Sequence, residues 1–214
     1  DPEMSRGLGD VYKRQLYYFF ITLVIASISM YIPFRFTNSS TAGDLTSILF
    51  FGIMASGYTL NWCVKKLLRG HVAIPVMVFT VLGFAIISLF KSPVLVGIGI
   101  LIATYFYGIA QPYYYDRLSV ASTRIALTLT LAIFASMDSI GNVVAPFVID
   151  AIAKIFHRST STDPNIAFWI CTWMSVAVLA AVIVYEVIVH ARKHVASALS
   201  LIHISEPTRH LRIS

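Results

Sequence analysis

The sequence predicts an all-α membrane protein with six transmembrane helices. Hydrophobic residues make up 57% of the 214-residue chain and charged residues only 12%, and the mean hydropathy is +0.78. These values are typical of integral membrane proteins rather than of soluble domains. The apolar residues form six segments, each close to the ~20 residues that a helix needs to cross a ~30 Å hydrocarbon core. The predicted spans are residues 16–34, 45–64, 72–90, 94–114, 125–149 and 166–189.

Four of the six spans carry a stripe of small and polar residues. The members of each stripe recur at helical intervals, which places them on one side of an α-helix. In a membrane such a face turns toward other helices or water, whereas apolar faces meet lipid. From the first, second, fourth and fifth spans, the stripes are Thr22, Ala26, Ser29 and Pro33; Gly52, Ser56, Thr59 and Cys63; Gly97, Thr104, Gly108 and Gln111; and Ala135, Asp138, Asn142 and Ala145.

The third and sixth spans are more uniformly apolar. The third contains only Thr80 and Ser88 as polar residues, which predicts a lipid-facing helix. The sixth has a weak stripe of Thr172 and Ser175. Aromatic residues near span ends favour the membrane–water interface, and they are Tyr17–Phe20, Tyr113–Tyr115, Trp169 and Trp173.

Basic residues in the short loops predict the orientation. Loops on the side that carries more Lys and Arg are normally cytoplasmic. One side would hold Lys65, Lys66, Arg69, Arg117, Arg124, Arg192 and Lys193, and the other Arg35, Lys91, Lys154 and Arg158. The first side is therefore expected to be cytoplasmic, with both native ends inside, in a bacterial inner membrane. The external loop at 156–165 is polar and expected to be flexible, and Asp150 and Lys154 before it are expected to form an i,i+4 ion pair.

Asp138 lies near the middle of the fifth predicted span. An aspartate at that depth costs roughly 2.5–3.5 kcal/mol on insertion scales, and the sequence places no Lys or Arg of these six spans at the same depth. We therefore expect its charge to be met by further protein, a cationic substrate, water or a proton. The hypothesis is that Asp138 binds substrate or couples transport to protons.

The stripes have two interpretations, since small faces also serve as plain helix-packing surfaces. Amides and a carboxylate at depth favour a water-filled pathway, because a packing seam needs neither. The candidate pathway residues are Asp138, Asn142, Gln111, Thr104 and Tyr107, with Thr22, Ser29 and Ser56 as weaker members.

The two ends are expected to be non-native. Residues 4–15 are MSRGLGDVYKRQ and residues 199–209 are LSLIHISEPTR. Codons can be chosen so that the DNA for one string is the reverse complement of the DNA for the other, as in a translated adaptor of a transposase-based sequencing library. We therefore expect residues 1–15 and 199–214 to derive from adaptor DNA, and residues 16–198 to be the six-helix domain of a longer protein.

The chain resembles the C-terminal six-helix half of a major facilitator superfamily transporter over residues 16–193. The resemblance rests on the six-span layout, on the run SIGNVVAP at 139–146, and on a basic loop after the second span. In NWCVKKLLRG, Lys66 and Arg69 match basic positions of the family's cytoplasmic loop motif. Departures from that motif stand at Asn61, Lys65, Leu68 and Gly70. The resemblance implies a twelve-helix bundle of two halves, whose first, second, fourth and fifth helices line a central cavity.

The resulting expectation is a fragment of a secondary active transporter that moves a small solute by alternating access, driven by a proton or ion gradient. Its partners would be the lipid bilayer, the missing N-terminal six-helix half and a small-molecule substrate. No nucleic acid, cofactor or metal is expected. A self-contained six-helix channel or homodimeric carrier is an alternative. An intramembrane hydrolase is a weaker one, because the sequence has no G-x-S-x-G or H-E-x-x-H pattern.

Overall fold

The computed structural model describes the backbone of residues 2–67, 72–121 and 124–205, and side chains over most of residues 16–188. Within these residues the chain forms helices and no strand, as predicted. The helices are α1 (Pro2–Arg35), α2 (Ser39–Trp62), α3 (Ala73–Leu89), α4 (Pro93–Ala121), α5 (Arg124–Ile155) and α6 (Asn165–Ser205), and a π-helical turn at Cys63–Leu67 follows α2. Helices α1 and α6 continue beyond the predicted spans into 2–15 and 199–205.

Four of the described helices are long and apolar enough to cross a membrane. These stretches are Leu16–Arg35, Pro93–Asp116, Leu131–Ile155 and Asn165–Ile188. Helix α3 has 17 residues, which gives about 25 Å at 1.5 Å per residue, and α2 carries Asp44 and many glycine and hydroxyl residues. The chain is therefore compatible with an integral membrane protein, and four of the six predicted spans coincide with helices that are long and apolar enough to cross a membrane.

Local sequence explains several helix ends. Helix α2 begins after Asn38, whose side chain accepts a hydrogen bond from the Ser40 amide at 3.1 Å. Pro93 opens α4, at the position where its missing N–H costs nothing. Helix α5 ends in a Schellman motif, with His157 in the left-handed region at φ 54° and the Arg158 amide returning to the Ala153 carbonyl oxygen at 3.0 Å.

Helix α4 lies at the centre of the bundle. It packs most extensively against α2 and α3, and also contacts α1 and α5, while α6 packs against α3 and α1. Small residues allow the closest approaches. A Cβ added to Gly83 of α3 would lie 2.6 Å from the Gly99 carbonyl oxygen of α4, so only glycine fits this crossing.

Helix α3 is not simply lipid-facing, as its apolar sequence suggested. Val76, Phe84 and Ile87 are fully buried against neighbouring helices, and Leu82 lies on an exposed face. Thr80 is also fully buried. The prediction was wrong for one side of the helix, because a uniformly apolar sequence suits protein and lipid contacts equally well.

Most hydroxyl side chains in the described helices donate to a carbonyl oxygen three or four residues earlier in the same helix. This local bond satisfies the hydroxyl group without a partner from another helix. It is made by Ser27, Ser29, Thr46, Ser47, Ser56, Thr59, Thr80, Ser88, Thr104, Ser136, Ser139, Thr172 and Ser175.

Asp150 does not pair with Lys154. Its carboxylate accepts hydrogen bonds from Tyr31 at 3.4 Å and from Thr160, and Lys154 is exposed. The expected ion pair was wrong because the loop after α5 folds back and brings the Thr160 hydroxyl onto the carboxylate. A solvent-exposed i,i+4 pair is worth only about 0.3–0.5 kcal/mol and does not compete with these contacts.

Candidate functional site

The Asp138 carboxylate lies where α1, α4 and α5 meet. One of its oxygens, Oδ1, accepts hydrogen bonds from the hydroxyls of Tyr107 at 2.9 Å, Thr22 at 3.1 Å and Tyr18 at 3.3 Å. The side chain is half-buried. Thr22, Tyr107 and Asp138 were all predicted pathway residues, and the structure brings these three together. We call this group, with Tyr18, the Asp138 cluster.

Tyr18 is the member of the cluster that the sequence analysis missed. It was grouped with aromatics at the membrane interface, but its side chain is fully buried. Its ring stacks on that of Tyr107 with centroids 5.9 Å apart and an angle of 13°, and the two hydroxyls lie 3.1 Å apart. The available signal was spacing: Tyr18 precedes Thr22 by four residues and so extends the polar stripe of α1 by one turn.

Small residues on α5 let the carboxylate reach α1. A Cβ added to Gly141 would lie 3.1 Å from the Thr22 side chain, and Ala145 is fully buried with Leu23 and Ala26 of α1. Because these residues lie one and two turns beyond Asp138 on the same helix, the two backbones stay close along this stretch. The sequence of α5 therefore fixes the carboxylate against the α1 hydroxyls.

The cluster satisfies a carboxylate without a nearby cation. Among the described side chains, no Lys, Arg or His forms an ion pair with Asp138; its partners are neutral hydroxyls. Hydrogen bonds to an ionised acceptor are roughly twice as strong as those between neutral groups. The structure supplies three hydroxyl donors to this carboxylate from the chain itself, and the expectation of the missing half, a cationic substrate, water or a proton at Asp138 stays a prediction.

Thr104 and Ser56 do not join the cluster. They lie in the seam between α2 and α4, where Thr104 faces Gly52 and Ser56 faces Gly108 at distances that leave no room for a Cβ. Both hydroxyls donate to their own helices. The stripes of α2 and α4 thus pack against one another, which is the packing interpretation rather than the cavity-lining one.

The remaining predicted pathway residues lie at or near the surface of this chain. Asn142 is exposed, and its amide donates to the Asp138 carbonyl oxygen at 2.9 Å. Ser29 is also exposed and donates to the Ala26 carbonyl oxygen at 2.9 Å. Gln111 is half-buried on α4. The structure therefore leaves these three residues outside the hydrogen bonds of the cluster.

Of the two residues that match the family's cytoplasmic loop motif, the structure describes one. Lys66 is exposed in the π-helical turn after α2, and Arg69 lies outside the described residues.

Within the described residues, no group of three or more His, Cys, Asp or Glu side chains is placed to hold a metal ion. Comparison of the chain with models of protein families, with curated proteins and with solved structures finds no match.

Proposed function

We propose that this chain is the C-terminal half of a major-facilitator-type secondary transporter in a bacterial inner membrane, which moves a small solute by alternating access. The observation that carries the proposal is Asp138. It lies near the middle of α5, half-buried, and is held by hydroxyls from two other helices. Intramembrane carboxylates are costly and typically mark substrate or proton pathways.

The exposed face of α5 supports a missing partner half. Ala135, Ser139 and Asn142, spaced by four and three residues, are all exposed on this helix. Only 18% of the most apolar stretch of the helix is buried. Lipid contact is unfavourable for amides and hydroxyls. In a twelve-helix bundle, the other half or a water-filled cavity would cover this face.

The hydroxyl donors give Asp138 two workable roles. An ionised carboxylate with hydroxyl partners attracts a cationic solute or a coupling ion. The same carboxylate can instead take up a proton, and its O–H then donates to the Tyr18 or Tyr107 hydroxyl oxygen. In both roles a change of partner at Asp138 alters contacts between α5 and the α1–α4 pair. That coupling of charge to helix position is what alternating access requires.

The test uses the complete gene that extends residues 16–198, expressed and reconstituted in proteoliposomes. Uptake from a defined mixture of sugars, amino acids and organic cations is measured by mass spectrometry with and without an imposed proton gradient. The substitution Asp138→Asn keeps the shape of the side chain and removes its charge. It should lower gradient-driven uptake by at least about fivefold, which corresponds to a coupling free energy of about 1 kcal/mol, the lower end of the typical range. Asp44→Asn, at an exposed position of α2, is the matched control and should leave uptake unchanged. Normal uptake and an unchanged pH profile in Asp138→Asn would refute the role of Asp138.

The same exposed face of α5 also suits a second copy of this chain, as in a homodimeric carrier or channel. Reconstitution of the 214-residue chain by itself separates the two functions. The half-transporter proposal predicts no solute flux from the chain alone, because half of the cavity wall is absent. Flux from the chain alone, together with a dimer in native mass spectrometry, would establish the second candidate.

A further inference from the structure

The Asp138 carboxylate has one oxygen that the cluster does not use. All three hydroxyl donors bond to Oδ1, and no described side chain donates to Oδ2. Within the described residues, Oδ1 of Asn165 is the one buried side-chain oxygen or nitrogen that lacks a partner. Oδ2 of the half-buried Asp138 therefore reaches the surface of this chain. An ionised carboxylate accepts hydrogen bonds with both oxygens, so Oδ2 is free to accept a donor from outside the chain.

The exposed polar side chains beside Asp138 on α5 also present acceptor oxygens. Ser139 is exposed, and its hydroxyl donates its only proton to the Ala135 carbonyl oxygen at 3.4 Å, so it can only accept a further hydrogen bond. Asn142 is exposed and donates an amide N–H to the Asp138 carbonyl oxygen at 2.9 Å, while its own side-chain oxygen accepts no hydrogen bond from the described residues. We call Oδ2 of Asp138 and the side-chain oxygens of Ser139 and Asn142 the acceptor face.

The acceptor face carries a negative charge that no basic residue of its own helix can reach. The basic residues of α5 are Arg124 and Lys154, 14 and 16 residues from Asp138, which is about 21 and 24 Å along the axis. Among the described side chains, no ion pair with Asp138 is formed by another helix. The counter-charge at Oδ2 therefore comes from outside the part of the chain that the structure describes.

The geometry of the acceptor face suits a group with several N–H donors. At 3.6 residues per turn, Asn142 and Ser139 lie about 40° and 100° round the helix axis from Asp138, so the three oxygens share one side of α5. A protonated primary amine carries one positive charge and three donors. A divalent cation such as Ca²⁺ takes about 6–8 oxygen ligands, whereas the described part of this face has one carboxylate and two neutral oxygens.

We propose that the acceptor face binds the ammonium group of a small protonated amine, which makes organic amines the solute class of this site. The inference rests on the proposed function for one point, that a water-filled cavity covers this face. Amine binding at Oδ2 leaves the three hydrogen bonds to Oδ1 intact, whereas protonation of Oδ1 requires a hydroxyl such as that of Tyr107 to change from donor to acceptor. A lipid amine is the wrong source, because headgroups lie about 15 Å from the middle of a ~30 Å hydrocarbon core.

The experiment measures binding without a gradient, using the complete protein that extends residues 16–198 in phosphatidylcholine nanodiscs. Isothermal titration compares three primary amines, butylamine, benzylamine and phenethylamine, with the alcohol and the carboxylate of the same carbon skeleton. At least one amine should bind with a Kd about tenfold or more below those of its alcohol and carboxylate. A tenfold difference is the low end of the effect of a hydrogen bond to a charged group.

Three variants test whether the amine lies on the acceptor face. Asp138→Asn should raise the Kd of that amine at least about tenfold, because it removes the charge. Asn142→Ala should raise it at least about twofold, and it alters an exposed side chain, so the protein keeps its fold. Asp44→Asn removes another exposed carboxylate, on α2, and should leave the Kd unchanged.

The outcomes separate this inference from the proposed function. The absence of binding by all three amines, equal binding of an amine and its alcohol, or an unchanged Kd in Asp138→Asn would overturn the inference. These results would also be obtained if a Lys or Arg of the missing half occupied Oδ2. Gradient-driven uptake of a neutral or anionic solute would then still support the transporter. Amine binding that is lost in Asp138→Asn, without uptake of any solute, would instead support the amine site and contradict transport.

Discussion

The crossing of α3 and α4 at Gly83 yields a prediction whose size follows from the geometry. In Gly83→Ala the new Cβ would lie 2.6 Å from the Gly99 carbonyl oxygen and 2.8 Å from the Ala103 Cβ. Neither atom is the end of a flexible side chain, so the helices must separate. Overpacking of this kind costs about 1–3 kcal/mol, and the better helix propensity of alanine returns about 0.5–1 kcal/mol. The net loss of stability should be up to about 2.5 kcal/mol.

The two buried cysteines provide the assay. Cys63 and Cys171 are 1% and 0% exposed, so a fluorogenic thiol reagent reports their exposure when the chain unfolds on heating. For a domain of this size about 1 kcal/mol corresponds to about 2–4 °C in Tm, which predicts a fall of a few degrees for Gly83→Ala. Gly57→Ala is the matched control, because a Cβ there meets nothing within 4 Å. A Tm for Gly83→Ala equal to or above that of Gly57→Ala would refute the close-approach reasoning.

Two further substitutions test other contacts with the same thiol assay. Tyr107→Phe removes the 2.9 Å hydrogen bond to the Asp138 carboxylate and should lower the free energy of unfolding by about 1.5–3 kcal/mol, because the acceptor is charged. Tyr105→Phe, which removes a contact between two neutral hydroxyls, should cost less. Equal costs would contradict a charged acceptor. Arg35→Gln removes both guanidinium bonds, one to the Ile87 carbonyl oxygen in the last turn of α3 and one to the Phe90 carbonyl oxygen just after it. It should cost about 1–2 kcal/mol after screening, and an equal Tm change in Lys91→Gln, at an exposed lysine, would contradict that contact.

The sequence predicted the helices and part of the Asp138 cluster because both depend on local pattern. Apolar segments of about 20 residues specify helices whatever they pack against. Thr22 and Asp138 were recognised because polar residues in apolar spans are conspicuous. Tyr18 was not, since its amphipathic ring suits the interface as well as a buried hydroxyl network.

The sequence did not predict which helix faces pack against each other. Ser56 and Thr104 have the spacing of pathway residues, but glycines on the opposite helix turn them into packing contacts. That pairing is a contact between distant parts of the chain, and residue spacing within one helix does not encode it. The missed Asp150 contact has the same origin, because its partner Thr160 reaches it only through the fold of the loop.

The contrast between self-satisfied hydroxyls and the carboxylate has a consequence for biogenesis. A helix whose hydroxyls, like that of Thr80, are bonded to its own backbone can enter the bilayer by itself. Asp138 depends on Tyr18, Thr22 and Tyr107 from other helices. All three precede it in the chain, so in a membrane the donors would be in place before α5 is synthesised. The Asp138 carboxylate would then have its hydrogen-bond donors as soon as α5 enters the bilayer.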